Sequence, residues 1–314
     1  MPTRKLLAAV VLFAWLAPPV RAQQVADTGF DARVARPAFT TRYPRVLFDE
    51  AHHNFHTAFG RYKPFAELIA HDGCVIAPNR RPFSAATLAG YDVLVISNAL
   101  GVEDMSDTAA AHPAFTPPEC DAVRDWVKAG GALLLIADHA PMGAAARPLA
   151  RRFGVDMRSA YTIDPVPVDS TIGNPGLILF TPAHGLDTRH PIMRGRDSTE
   201  RVRRVLTFTG QSLTGPPGSV QLLTLSSTAQ DLMVGFGQAG GNVPPEKRRS
   251  AAGRAQGLAF AYGKGRVVVM GEAAMLSAQL AGPGGQFRMG MNYPGTDNRQ
   301  LALNIVRWLA HGLE

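Results

Sequence analysis

The chain has 314 residues, 46% hydrophobic and 18% charged, with 31 Gly, 24 Pro and only two Cys. That balance excludes a disordered chain, a disulfide scaffold and a collagen-like or heptad repeat. It fits one large α/β domain or two small ones, and the formal charge of +7 raises the question of an anionic partner.

Residues 1 to 22 read as an export signal. Arg4 and Lys5 are followed by the apolar stretch Leu6 to Leu16, and Val20-Arg21-Ala22 offers a small-x-small cleavage site before Gln23. The apolar stretch is too short for a bilayer span and is broken by Pro18 and Pro19, so no stable membrane insertion is expected. Cleavage removes three cationic residues and leaves 292 residues carrying +4. With no basic block interleaved with aromatics, nucleic acid is not an expected partner. The expected location is secreted or periplasmic.

Residues 23 to 44 form a polar lead-in arm, and a single domain is expected over 45 to 312. Arg45 to Phe48 is a buried strand that breaks into the polar cluster Asp49-Glu50-Ala51-His52-His53-Asn54. From Phe55 to His71, apolar residues at three- and four-residue spacing predict a helix ended by Gly73. Cys74 to Ala77 is a strand, Ser84 to Tyr91 a short helix, and Asp92 to Asn98 a third strand. Thr116-Pro117-Pro118-Glu119 is a capped helix start, and Gly130-Gly131 ends that helix before the apolar strand Ala132 to Ala137. The alternation argues for a parallel sheet covered on both faces, with its site at the carboxyl ends of the strands.

After a helix from Ala144 to Phe153, short β-like runs occupy 155 to 235: Leu177 to Phe180, Val202 to Thr209 and Val220 to Leu225. Gly235 to Arg254 reads as an exposed loop and, with Met289 to Tyr293, as a candidate lid. Gly257 to Tyr262 and Arg266 to Met270 form a hairpin. Asn298 to His311, capped by Asp297, closes the chain.

This scheme gathers chemistry at one sheet edge. Asp49, Glu50, His52, His53 and His56 follow the first strand, Asn98 the third, Asp138 and His139 the fourth, and Glu272 the strand ending at Gly271. His184 and Asn292 lie in turns able to reach them. Acids and imidazoles ending three core strands need a counter-charge or a function. The candidate catalytic residues are Asp138, His139, Glu50, Glu272 and His184, and the candidate substrate-binding residues are Asn54, Asn98 and Asn292. Asp49, His52, Asp138 and His139 form a candidate ligand set for a divalent metal, Zn or Mn, although no HExxH-like spacing fixes it.

Gly131 to Pro141, ending Ala137-Asp138-His139-Ala140-Pro141, resembles the strand and nucleophile elbow of class I glutamine amidotransferase-like proteins, whose intracellular-protease-type members carry Cys-His-Gly-Pro. His139 and Pro141 match that run; Asp138 stands in place of the Cys and Ala140 in place of the Gly. The segments Phe48 to Asn54, Gly271 to Met275 and Gly290 to Gln300 extend the resemblance over residues 45 to 312, as an exported branch of the superfamily. More distantly the chain resembles trehalose-utilisation-like proteins and the domains associated with gliding and intraflagellar transport. The resemblance implies a flavodoxin-like three-layer α/β/α sandwich with a mostly parallel sheet and β-rich insertions in the C-terminal half.

Asp138 in place of the thiol argues against glutamine amidotransferase or cysteine-protease activity. Cys74 begins a strand and Cys120 sits near a helix start, at opposite sheet edges, so both are expected as buried thiols without a disulfide. Three chemistries remain. One is metal-assisted hydrolysis with Glu50 or Glu272 as base; another is an ester formed on Asp138 and cleaved with help from His139 or His184. The third is glycoside chemistry by the carboxylates. The competing class is a non-catalytic periplasmic module that binds a small-molecule or carbohydrate ligand.

Overall fold

A computed structural model describes residues 24–314, so the expected export signal lies outside the described residues. The chain is α/β, with six α-helices among the described residues and a mixed nine-stranded central sheet. The strands of that sheet are β1 Arg45–Asp49, β2 Val75–Asn79, β3 Val93–Ser97, β4 Ala132–Ile136, β5 Asp156–Met157, β6 Leu213–Thr214, β7 Val220–Thr224, β8 Ala255–Tyr262 and β9 Gly265–Met270. They lie in the order β2-β1-β3-β4-β9-β8-β6-β5, with β7 also paired to β8. The first five in this order are parallel. From β8 outward the pairing is antiparallel, because the tight turn at Gly263-Lys264 returns the chain beside β9 rather than through a crossover.

Strand periodicity decides the layers. Along β4, Leu134 and Ile136 join a core with Phe65, Leu68 and Ile69 of helix α1 (Lys63–His71) and Leu301 and Ile305 of the C-terminal helix Asn298–Leu309. Leu133 and Leu135 point the other way. They pack with Leu88 of α2 (Ala85–Leu88), Val123 and Val127 of α3 (Pro117–Ala129) and Leu149 of α4 (Met142–Arg152). Such strands have no polar face, which is why they read as continuous apolar runs. Cys74 and Cys120 are free, buried, and belong to the two different cores. Burial pushes both thiols up, to about 12 and about 11.

Several expected boundaries move. The helix expected from Phe55 begins at Lys63 instead, with Pro64 in its first turn, while residues 55 to 62 form turns and Phe59 is 67% exposed. Proline is favoured in a first turn and costly deeper in a helix, so Pro64 sets this start. Part of the expected loop Gly235 to Arg254 is ordered: Arg248–Ser250 pairs with Gln230–Leu232, which pairs with Tyr161–Ile163. Asp297 does not cap the last helix through its side chain; its carboxylate accepts the backbone N–H groups of Arg203 and Arg204 at 2.7 and 2.9 Å. The lead-in arm is not loose either. Val25–Ala26 pairs with Ala278–Ala281, and Ala32 and Phe39 are buried in the main core.

Candidate functional site

The parallel strands deliver their carboxyl ends to one edge, as expected. A cavity of 1290 Å³ opens there, lined by Glu50, His53, Asn54, Phe55, His56 and Arg61, by Asn98, Asp138, His139 and Met142, and by Glu103, Asp104, Phe236 and Gln24. Its charged lining is mostly acidic, with Arg61 the one Lys or Arg side chain among the described lining residues.

Asp138 sits two residues beyond the end of β4 at Ile136, and its backbone is fixed from two sides. Its N–H donates to Asn98 Oδ1 at 2.9 Å, and its carbonyl accepts from Gln211 Nε2 at 3.1 Å, an amide that also holds the Ala137 carbonyl at 2.8 Å. Asn98 reaches this position with φ +50, a left-handed conformation that Asn tolerates better than most residues. The Asp138 carboxylate accepts the His139 N–H at 2.8 Å and is only 11% exposed. Burial raises its pKa well above the usual carboxylate range, against the hydrogen bonds from His139, Ala273 and Asn98 that pull it down.

Glu272 follows β9 and is fully buried behind the cavity, not on its wall. It accepts the N–H groups of Ala274 and Met275 at 2.6 and 2.8 Å. Burial, and then the neighbouring Asp138 charge, raise its pKa as well. Two carboxyl groups that repel in a dry site do not both ionise readily, so the pair tends to keep a proton.

His139 Nδ1 lies 2.8 Å from the Ala140 carbonyl and must donate to it, which leaves Nε2 as the acceptor. Burial lowers the imidazole to about 4, so it is neutral at physiological pH. Its Nε2 is 4.0 Å from Asp138 Oδ1, and its ring stacks on Tyr161 with centroids 4.1 Å apart. A carboxyl whose pKa is raised and a neutral imidazole therefore stand side by side.

The other expected residues divide. Glu50 and Asn54 line the cavity. The Glu50 carboxylate accepts the Ala58 N–H at 3.1 Å and faces Arg80 Nε at 3.3 Å; Asn54 Nδ2 donates to Asp49 at 3.0 Å. His56 is buried against Ser97 Oγ at 3.2 Å, and burial lowers it to about 3. Asp49 and His52 do not line the cavity. Both Asp49 oxygens lie 2.9 Å from His52 Nδ1, and His52 Nε2 lies 2.9 Å from Glu119, leaving neither ring nitrogen open to a metal. Among the described residues no three His, Cys, Asp or Glu side chains are grouped to hold a metal ion. His184 is exposed in a turn, bonded to Thr181 Oγ1 at 2.8 Å, and is absent from the cavity wall. Asn292 also lies elsewhere: it donates to Asp27 at 2.8 Å and to the Gln279 carbonyl at 3.1 Å, tying the N-terminal arm down.

Glu119, Tyr161, Gln211 and Arg61 were not singled out from the sequence. Glu119 had a signal, since Thr116-x-x-Glu119 is a capping box, and the same carboxylate that accepts the Thr116 N–H also braces His52. For Tyr161 and Gln211 the sequence carries no pattern, because both reach the site from β-rich segments with no repeat.

No known family model matches the chain, and no curated protein matches it. Among solved structures, the N-terminal domain of mmIFT52 is similar at a TM-score of 0.57 and 14% identity, over 84% of this chain and 96% of that one. A thua-like protein from Bacteroides uniformis aligns over 88% of this chain and 93% of that chain at 15% identity and a TM-score of 0.44. A second from Parabacteroides merdae aligns over 86% and 91% at 12% identity and 0.43. The mmIFT52 likeness speaks to fold alone.

Proposed function

We propose that this chain is an exported hydrolase acting on a small uncharged polar substrate of carbohydrate type. In this reading it keeps a flavodoxin-like sandwich and an amidotransferase-like elbow, with an acid in place of the thiol. The strand order β2-β1-β3-β4, with helices on both faces, supports the fold assignment. The observation that carries the activity is a protonatable Asp138 beside the neutral imidazole of His139 on the wall of a large cavity with an acidic rim.

The chemistry follows from those two states. Water attacks the scissile centre and gives its proton to His139 Nε2, while protonated Asp138 delivers its proton to the leaving oxygen. Attack and departure are thereby balanced, and the proton returns from His139 to Asp138 across the 4.0 Å between them. Glu272 is not on the cavity wall; burial raises the pKa of both carboxyls and the Asp138 charge raises that of Glu272 further, so the two share a proton and Glu272 is a positioning residue. Glu50, Glu103 and Asp104 on the wall disfavour phosphate or carboxylate ligands and suit hydroxyl groups.

Purified protein is assayed on nitrophenyl esters and glycosides, with Asp138→Asn as the control. Turnover should fall on the order of 10²–10⁴-fold in the variant. Turnover unchanged by the substitution refutes the assignment. Saturable sugar binding with no turnover replaces it with the non-catalytic binding reading.

A further inference from the structure

The loop between Leu232 and Arg248 stands on a small core of its own. Leu232 and Val243 are buried with Tyr161 and Ala140, and Ile163, Val234 and Ala239 pack against them. Ala140 directly follows His139, so the foot of the loop rests on the site. Near its start, Phe236 is 41% exposed yet lines the same cavity as Asp138 and His139. An exposed aromatic on a cavity wall offers a flat apolar face for a sugar ring or another polar ring system.

The link to the chemistry is continuous. The Gly237 N–H donates to the Tyr161 hydroxyl at 3.2 Å, and that hydroxyl donates to the Ala140 carbonyl at 3.3 Å. The same carbonyl accepts His139 Nδ1–H, and the Tyr161 ring lies 16° from parallel to the imidazole. Gly237 has φ +75, so the turn that aims its N–H at Tyr161 favours glycine. Phe236 and Gly237 are adjacent, so the cavity wall and the hydrogen bond to Tyr161 share one turn.

We propose that Tyr161 is a positioning residue for His139, and that the 233–243 loop is a ligand-contacting cover whose Phe236 determines specificity. Occupancy of the cavity is then sensed at His139 through Tyr161. The name "positioning" for Tyr161 rests on the catalytic reading of His139 above; the mechanical coupling does not.

The test uses protein labelled with ¹⁵N-histidine, with His139 assigned by loss of its signals in His139→Asn. Tyr161→Phe keeps the ring and removes the hydroxyl. It should raise the exchange rate of the Gly237 amide on the order of tenfold, the equivalent of its one lost hydrogen bond, with the urea midpoint lowered only by the loss of the two bonds the hydroxyl makes. Tyr161→Leu also removes the stacking and should move the His139 nitrogen shifts toward a mixture of tautomers. On any nitrophenyl substrate that is turned over, Phe236→Ala should raise KM with kcat held, and Tyr161→Phe should lower kcat. His139 shifts unchanged in Tyr161→Leu, or Gly237 exchange unchanged in Tyr161→Phe, overturn the coupling. If Tyr161→Leu does not fold, the Tyr161→Phe exchange rate decides alone. Absence of turnover on every substrate removes the hydrolase reading but leaves these two measurements to judge the coupling.

Discussion

Replacing His52 with Ala removes a buried cation from between two carboxylates. Asp49 is fully buried and His52 is 7% exposed, so little water can take the place of the lost partner. Asp49 keeps only Asn54 at 3.0 Å, Asn79 at 3.5 Å and the Ala51 N–H at 3.3 Å. Breaking a buried ion pair from one side costs about 3–5 kcal/mol, and the gap left between Phe83 and Phe115, whose rings lie 4.7 Å from the imidazole, adds to that.

The pH dependence separates this from a simple packing loss. Burial alone lowers the His52 pKa, but the hydrogen bond and charge of Asp49, followed by those of Glu119, outweigh it and raise the value. A raised imidazole pKa gives stability that is complete below about pH 6.5 and is lost as pH rises through the folded-state value. The wild type should therefore lose part of its advantage over His52→Ala between pH 6 and pH 9. Urea unfolding of both proteins at the two pH values measures it. A difference below ~1 kcal/mol at pH 6, or one that does not narrow by pH 9, refutes the charged brace.

Two further outcomes concern the elbow. Asp138→Asn should stabilise the protein at pH 8 by ~2 kcal/mol, because a carboxyl with a raised folded pKa loses stability as pH climbs and the amide does not. The two proteins should converge near pH 4 in denaturant titrations, and equal stability at pH 8 would falsify the buried-acid account. Asn98→Ala should cost ~2–4 kcal/mol, part from the lost acceptor for the Asp138 N–H and part from the left-handed backbone. Asn98→Gly relieves the second part only, so its unfolding free energy should fall between those of Asn98→Ala and the wild type.

The elements legible in the sequence are those whose signal is local. Val93 to Ser97 and Ala132 to Ile136 read as buried strands because every position is apolar or small. Thr116 to Glu119 reads as a helix start because the cap, the prolines and the acid are adjacent in the chain. From parallel strands alone it followed that Asn98, Asp138 and Glu272 would meet at one edge, since all three trail strands running the same way. The helix start at Lys63 was misread because Phe55 and Phe59 fit a helical spacing while serving the wall and the surface instead.

Composition and pattern alone thus determined the class of fold and the edge where polar groups collect, because backbone direction places every strand end without reference to side-chain partners. Which of those groups face solvent was decided only by tertiary structure. His52 and His139 each follow a strand within three residues. Yet one is enclosed between Asp49 and Glu119, 67 positions further on, and the other is stacked on Tyr161, 22 positions away, beside an open cavity. The protonation state of each imidazole depends on those distant partners and on burial, and neither is written in the local sequence.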